Sequence, residues 1–159
     1  MSPARRERPA AAAPLGVGVD LVENERVRRA VERWGGPFLQ RVFRPCERAY
    51  CDAQAVPWRH YAGRFAVKEA VSKAFGTGIG DRVGWLDIEV RRDPESGAPS
   101  VRLFGRARRL AAERGVDRVL ISLAHTRELS VAEAVVWSRR APPARPAARR
   151  PRGRRRRAT

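Results

Sequence analysis

The sequence has no long apolar run and almost no cysteine. Its 159 residues include two cysteines, Cys46 and Cys51, which lie five apart without a histidine at zinc-ligand spacing. They predict reduced thiols in a cytoplasmic protein rather than a zinc site. Because no segment is long and apolar enough to cross a bilayer, we expect no membrane span.

The fingerprints of common nucleotide-binding loops are also missing. No GxxxxGK[ST] pattern occurs, and Gly16-x-Gly18 lacks the third glycine and the glycine-rich helix start of a dinucleotide site. The sequence therefore excludes a P-loop enzyme and gives no support to a Rossmann domain.

Acidic residues are absent from the C-terminal end. Residues 139–159 contain ten arginines and four prolines, and residues 1–14 are mostly alanine, proline and arginine. Such segments cannot bury enough apolar surface to offset the entropy of ordering, so both are predicted to be disordered around one domain at residues 15–138. The tail supplies +10 of the net charge of +17 and the first fourteen residues supply +2, which leaves +5 for the domain.

Residues 64–78 combine one carboxylate with several cations on a predicted helix. Side chains three or four positions apart share a helix face, so Arg64 lines up with Lys68 and Glu69 lines up with Lys73. Ser72, between these rows, precedes the turn Gly76-Thr77-Gly78. Gly76 suits the left-handed position that ends a helix, and the glycines leave room for a ligand. The plain alternative is a solvated helix with one Glu-Lys pair.

A second carboxylate lies in an unusual setting. Asp20 interrupts the valine-rich segment 16–23, which is typical of a short buried strand. An ionised carboxylate there needs a partner, a hydrogen bond or a cation. Two interpretations are open from this segment alone, a cap for the helix that follows and a metal ligand.

Together these segments resemble the holo-acyl-carrier-protein synthase family of 4′-phosphopantetheinyl transferases. The resemblance covers roughly residues 15–138 and rests on three motifs. They are Gly16-x-Gly18-x-Asp20-Leu21-Val22-x-x-x-Arg26-Val27, the run from Arg64 to Gly78, and Ile121-Ser122-Leu123-Ala124-His125-Thr126-Arg127-Glu128.

The resemblance implies transfer of 4′-phosphopantetheine from coenzyme A to a serine of an apo acyl carrier protein, with release of adenosine 3′,5′-bisphosphate. It implies Mg²⁺ held by Asp20 and Glu69, with Glu69 also a candidate to orient the water that relays the serine proton, and Lys73 neutralising phosphoryl charge. Hard carboxylate oxygens suit this ion. The residues implied to contact coenzyme A are Arg64, Lys68, Ser72, Gly76, Thr77, Gly78 and His125.

The resemblance also implies two kinds of protein contact. Helical spacing from Glu23 to Trp34 leaves arginines exposed, and the corresponding family helix docks an acidic carrier protein. The docking residues are then Arg26, Arg28, Arg29 and Arg33. Small family members are homotrimers with active sites between protomers, so His125 and the helix that carries Glu69 are expected to meet from different chains.

The expected fold is α+β, with a mainly antiparallel sheet and one long central helix. Strands are predicted at residues 16–23, 85–91, 101–104, 119–124 and 130–137. A helix from about residue 105 should end at Gly115, and Pro45 should break a pair of short helices.

Two other functions compete with the transferase. The arginine-rich tail is typical of a nucleic-acid- or ribosome-associated protein, although it lacks aromatic residues for base stacking, and we expect at most nonspecific binding through it. A coenzyme A binding module without catalysis is disfavoured because Asp20, Glu69 and Lys73 are all present.

Overall fold

The structure, a computed structural model, describes residues 12–138. The tail at residues 139–159 and most of the N-terminal extension, both predicted to be disordered, lie outside the described residues. Ala13 and Pro14 lie inside them and begin the first strand, two residues before the predicted domain boundary. Pairing with the last described strand accounts for this difference, because Ala13 lies opposite Ser138 and Pro14 opposite Trp137.

The described chain folds into helices and antiparallel strands in mixed order, which confirms the α+β prediction. The elements are β1 (Ala13–Glu23), α1 (Asn24–Val42), α2 (Pro45–Asp52), α3 (Pro57–Ala74), β2 (Ile88–Arg92), β3 (Pro99–Leu103), α4 (Gly105–Glu113), β4 (Val116–His125) and β5 (Leu129–Ser138). A short 3₁₀ turn, Trp85–Asp87, precedes β2.

A three-stranded sheet forms one layer, in the order β1-β5-β4, and β2 and β3 form a separate hairpin. Helix α3 packs on the inner face of the large sheet, mainly against β1 and β5. The buried face of α3 is built from small and β-branched side chains, namely Ala62, Ala66, Val67, Ala70, Val71 and Ala74. Such short side chains let the helix axis lie close to the strands.

Helix α1 bends sharply in its second half. Gly35 leaves the helical conformation with φ 54° and ψ −137°, and Pro37 follows within the helix. Glycine tolerates this positive φ, and proline removes a backbone donor, so the bend follows directly from the sequence. The predicted break between helices at Pro45 is confirmed, because α1 ends at Val42 and Pro45 begins α2, where its missing N–H costs nothing.

Two described helices are long, since α1 has 19 residues and α3 has 18. The detail of one long central helix therefore stays a prediction. Gly115 follows α4 with φ 64°, as expected for a helix stop. None of the described helices has the length and apolar character needed to cross a membrane.

Candidate active site

Asp20 lies on the face of β1 that points toward α3. The Lys73 ammonium of α3 donates to Asp20 Oδ1 at 2.8 Å and to the Val19 carbonyl at 3.1 Å. The Asp20 side chain is 15% exposed and that of Lys73 is 47% exposed, so the pair lies at the edge of solvent. Asp20 is not the helix cap considered above, because Glu23 precedes α1 and makes no side-chain capping bond.

Glu69 lies one turn before Lys73 on α3 and belongs to the same cluster. Partial burial raises the pKa of Glu69, and the neighbouring Asp20 charge raises it further, while Lys73 and Arg26 act in the opposite direction. Two carboxylates that repel each other at the end of a helix–strand contact form a site where a cation would be stabilised. The structure thus brings together the three residues predicted to carry the chemistry.

Two glycines of β1 make this contact possible. A Cβ atom on Gly16 would lie 2.2 Å from the Ala74 carbonyl oxygen, and one on Gly18 would lie 2.0 Å from the Ala70 carbonyl oxygen. Only glycine allows α3 to come this close to β1. In the sequence this pair belongs to a family motif and fails the nucleotide fingerprint, and neither observation predicts the close contact with α3. Their actual effect is to hold Asp20 against the helix that carries Glu69.

Lys68 does not reach a ligand, and its predicted role is wrong. It is fully buried, and its ammonium donates to Glu47 Oε2 at 2.8 Å and to the carbonyls of Trp85 and Ile88 at 2.9 and 2.5 Å. All three donors are thereby used. Helical spacing aligned Lys68 with Arg64 correctly, but it could not reveal that a buried carboxylate from α2 meets this face.

Ser72 is also fully buried, and its hydroxyl donates to the Glu69 carbonyl at 2.8 Å. Its predicted contact with coenzyme A is therefore wrong as well. The Ser72 carbonyl accepts the N–H groups of Thr77 and Gly78, at 3.1 and 3.3 Å, and Gly76 has the expected φ of 67°. These bonds satisfy the end of α3 within the chain. A nucleotide beside this turn stays a prediction.

Arg64 and His125 line a pocket that is separate from the acid cluster, and we call it the cation-rich pocket. Its volume is about 330 Å³, and its lining includes no Asp or Glu among the described residues. Sequence reasoning missed the other polar members, which are Tyr50, Gln54, His60, Arg91 and Arg92. The spacing of His60 and Arg64, four positions apart on α3, was the available signal.

The arginines of α1 divide between two faces. Arg28 bonds to Glu25 at 2.6 Å and to Glu32 at 2.5 Å, and Arg29 also reaches Glu25 at 3.1 Å. Bonds from both arginines lower the pKa of Glu25 to about 2. Arg26 and Arg33 border an apolar groove of about 380 Å³, and Arg29 borders it as well as pairing with Glu25. The floor of the groove includes Val22, Val27, Ala30, Trp34, Phe38 and Phe65. The predicted docking set is therefore not one surface.

The sequence model of the 4′-phosphopantetheinyl transferase superfamily matches residues 16–134. The chain belongs to this superfamily. A holo-[acyl-carrier-protein] synthase from Desulforudis audaxviator is 49% identical over 121 residues, which is 76% of this chain and 91% of that protein.

Two solved structures of holo-[acyl-carrier-protein] synthases share the superfamily fold described here. The Neisseria meningitidis enzyme has a TM-score of 0.73 at 30% identity and covers 78% of this chain and 98% of its own. The Helicobacter pylori enzyme, solved with coenzyme A, has a TM-score of 0.67 at 31% identity, and the match covers 76% of this chain and 98% of that enzyme. The family resemblance read from the three motifs is thereby confirmed.

Proposed function

We propose that this chain transfers 4′-phosphopantetheine from coenzyme A to a serine of an apo acyl carrier protein and releases adenosine 3′,5′-bisphosphate. One observation carries the proposal, namely the cluster of Asp20, Glu69 and Lys73 where β1 meets α3. A protein that only binds coenzyme A has no need to hold two carboxylates that repel each other at the edge of solvent. Membership of the superfamily and the names of the relatives support the same reaction.

Asp20 and Glu69 are the residues that would hold Mg²⁺. Among the described residues no three acidic, histidine or cysteine side chains gather into a metal site, so the protein offers two carboxylates. Hard oxygen donors in this small number fit Mg²⁺, which keeps water and substrate phosphates in its shell. When bound, the ion supplies charge neutralisation to the diphosphate under attack.

Lys73 orients Asp20 and presents a half-exposed ammonium beside the acids. This places a compact positive charge where the phosphoryl group or the leaving phosphate gains negative charge. Glu69 has a raised pKa, which makes it a better proton acceptor than an ordinary carboxylate, and it is our candidate to orient the water that relays the serine proton. Arg64 and His125 would contact the phosphates of the nucleotide from the cation-rich pocket.

The groove beside α1 is our proposed docking surface for the carrier protein. Arg33 stacks on Trp34 at 5.3 Å, and the Trp34 side chain stays half exposed. An acidic helix with an apolar side chain would satisfy both the arginine rim and the aromatic floor. Arg28 is left out of this surface because its charge is already paired with two carboxylates on the other face.

The outer face of the large sheet supports a homotrimer. Val17, Val19 and Leu21 of β1 are 66%, 54% and 62% exposed, and Leu120 of β4 is 49% exposed. An apolar sheet face of this kind is normally covered by protein. We propose that three copies cover it and that His125 of one copy works with the acids of a neighbour. The cytoplasm is the proposed location.

The experiment is incubation of the purified chain with apo acyl carrier protein, coenzyme A and Mg²⁺, followed by intact mass measurement. The proposal requires a mass gain equal to phosphopantetheine, on the serine only. A carrier protein that stays at its apo mass, while the chain still binds coenzyme A, would favour the binding module instead.

A further inference from the structure

The cation-rich pocket gathers basic side chains from several elements of the fold. Its walls come from α2, α3, the β2–β3 hairpin and β4, and they carry three arginines and two histidines without a carboxylate among the described lining residues. Like charges gathered in this way repel one another, so the pocket gains most when a compact anion neutralises them.

Arg64 shows most clearly that a partner is expected in the pocket. The residue is 5% exposed, and its guanidinium lies 4.0 Å above the Tyr50 ring. Within the described part of the chain its Nε finds no hydrogen-bond acceptor. A buried donor without an acceptor is costly, which favours a ligand that supplies one.

His60 lies one turn before Arg64 on the same helix face. Its ring contacts the His125 ring edge to face, with centroids 5.5 Å apart, and the Tyr50 ring at 5.8 Å. Burial lowers the pKa of His60, and so do His125, Arg64, Arg59 and Arg92. Burial and then Arg59 lower the pKa of His125.

We infer that His60 binds the 3′-phosphate of coenzyme A together with Arg64 and His125. This binding draws a proton onto the pair of histidine rings, His60 and His125. The inference rests on the proposed function. Near neutral pH both rings are uncharged, because burial lowers the pKa of each ring and nearby arginines lower it further. A phosphate dianion reverses the sign of the local field and favours protonation of a ring beside it. Arg91, paired with Glu89 at 2.5 Å, and Arg92 complete the charged wall on the β2 side.

The test compares coenzyme A with 3′-dephospho-coenzyme A. For the wild-type chain, the KM for coenzyme A should rise as pH increases through the neutral range, with a limiting slope of about tenfold per pH unit for one coupled proton. The KM for the dephospho compound should change much less. His60→Phe keeps the ring contacts and should flatten the coenzyme A profile toward that of the dephospho compound.

A second measurement does not depend on turnover. Calorimetric titration with adenosine 3′,5′-bisphosphate in buffers of different ionisation heat gives the protons taken up on binding. The phosphate itself titrates near pH 6 and releases its remaining proton when it binds as the dianion. This release is expected in all variants, so the difference in net proton uptake between wild type and His60→Phe belongs to the histidine pair. His60→Gln, which keeps a polar group, should lose the same uptake.

The inference is overturned if His60→Phe and His60→Gln take up as many protons as wild type, or if the KM profile for coenzyme A keeps its slope in both variants. Either result leaves phosphopantetheine transfer intact and so leaves the proposed function standing. Loss of transfer by the wild-type chain would instead overturn the function on which the inference rests.

Discussion

At the scale of single residues, the acid cluster lowers the stability of the fold while it forms the proposed catalytic site. Burial and the charge of Asp20 raise the pKa of Glu69 above 4.5, its ordinary value in an unfolded chain. The folded protein therefore binds a proton at Glu69 more tightly than the unfolded chain does. It follows that ionised Glu69 destabilises the fold above that pKa, and that this penalty disappears as pH falls below 4.5.

Glu69→Gln removes this penalty without opening a cavity. We expect its melting temperature near neutral pH to equal or exceed that of wild type, and the difference to vanish below pH 4.5, where both side chains are neutral. Thermal unfolding followed by circular dichroism at both pH values measures this. A variant that melts well below wild type at neutral pH would contradict the proposed repulsion.

Lys68 and Glu47 form the opposite case, a buried pair that supports the fold. Lys68→Met leaves the Glu47 carboxylate buried without its cation, which costs about 3–5 kcal/mol when one partner of a buried pair is removed. Urea unfolding should show a lower midpoint with an unchanged slope. The double variant Glu47→Gln with Lys68→Met serves as the control, and it should recover part of the loss. Equal stability of Lys68→Met and wild type would show that the pair is dispensable.

At the scale of elements, α1 presents different chemistry on two faces. One face carries the Glu25-Arg28-Glu32 network, in which positive charge is already neutralised. The other carries Arg33 on the rim of the apolar groove, and among the described residues Arg33 forms no ion pair. Only the second face has unpaired positive charge to offer an acidic partner.

Arg33→Gln should therefore raise the KM for the carrier protein by about tenfold, a change of about 1.4 kcal/mol, while the KM for coenzyme A stays nearly constant. Arg28→Gln is the matched control with the same loss of charge on the same helix, and it should have a much smaller effect. Steady-state kinetics with each substrate varied in turn gives both constants. Equal effects of the two substitutions would place docking elsewhere.

Local patterns in the sequence predicted most elements well. Alternation and turn residues predicted the strands of both hairpins, and Gly115 the end of α4, because these features depend on neighbours in the chain. The predicted strand 85–91 is wrong at its start, where Trp85–Asp87 forms a 3₁₀ turn and β2 begins at Ile88. Contacts between distant segments were harder to predict. The start of β1 at Ala13 depends on its pairing with β5, and the burial of Lys68 depends on Glu47 from α2. The packing role of Gly18 was missed for the same reason, since the Ala70 carbonyl it touches is distant in sequence.

At the scale of the whole molecule, the open apolar face of the sheet is the main feature that one chain leaves unexplained. It faces away from α3, whereas Asp20 on the same strand faces toward it. Alternation along β1 thus gives each face its own role, with the acid toward the helix and valines outward. If further copies of the chain cover the outer face, the cation-rich pocket of one copy and the acid cluster of a neighbouring copy would form one active site.

Val19→Asp tests this arrangement, because Val19 is half exposed and lies in the centre of the apolar face. We expect the variant to sediment as a smaller species than wild type and to lose most transfer activity, since a buried charge at the interface would be costly. Leu86→Asp places the same charge on an exposed apolar residue away from this face and should keep the wild-type mass. Sedimentation of the wild-type chain as a monomer with full activity would contradict the trimer.

The acid cluster as a catalytic centre is tested most directly by intact mass measurement of the carrier protein after reaction with wild type, Asp20→Asn and Glu69→Gln. Each variant is first shown by circular dichroism to be folded. We predict complete conversion to the phosphopantetheine-bearing mass with wild type, and a loss of at least about a thousandfold in rate, about 4 kcal/mol of barrier, with either variant. Near-normal conversion by folded Glu69→Gln would contradict the central claim.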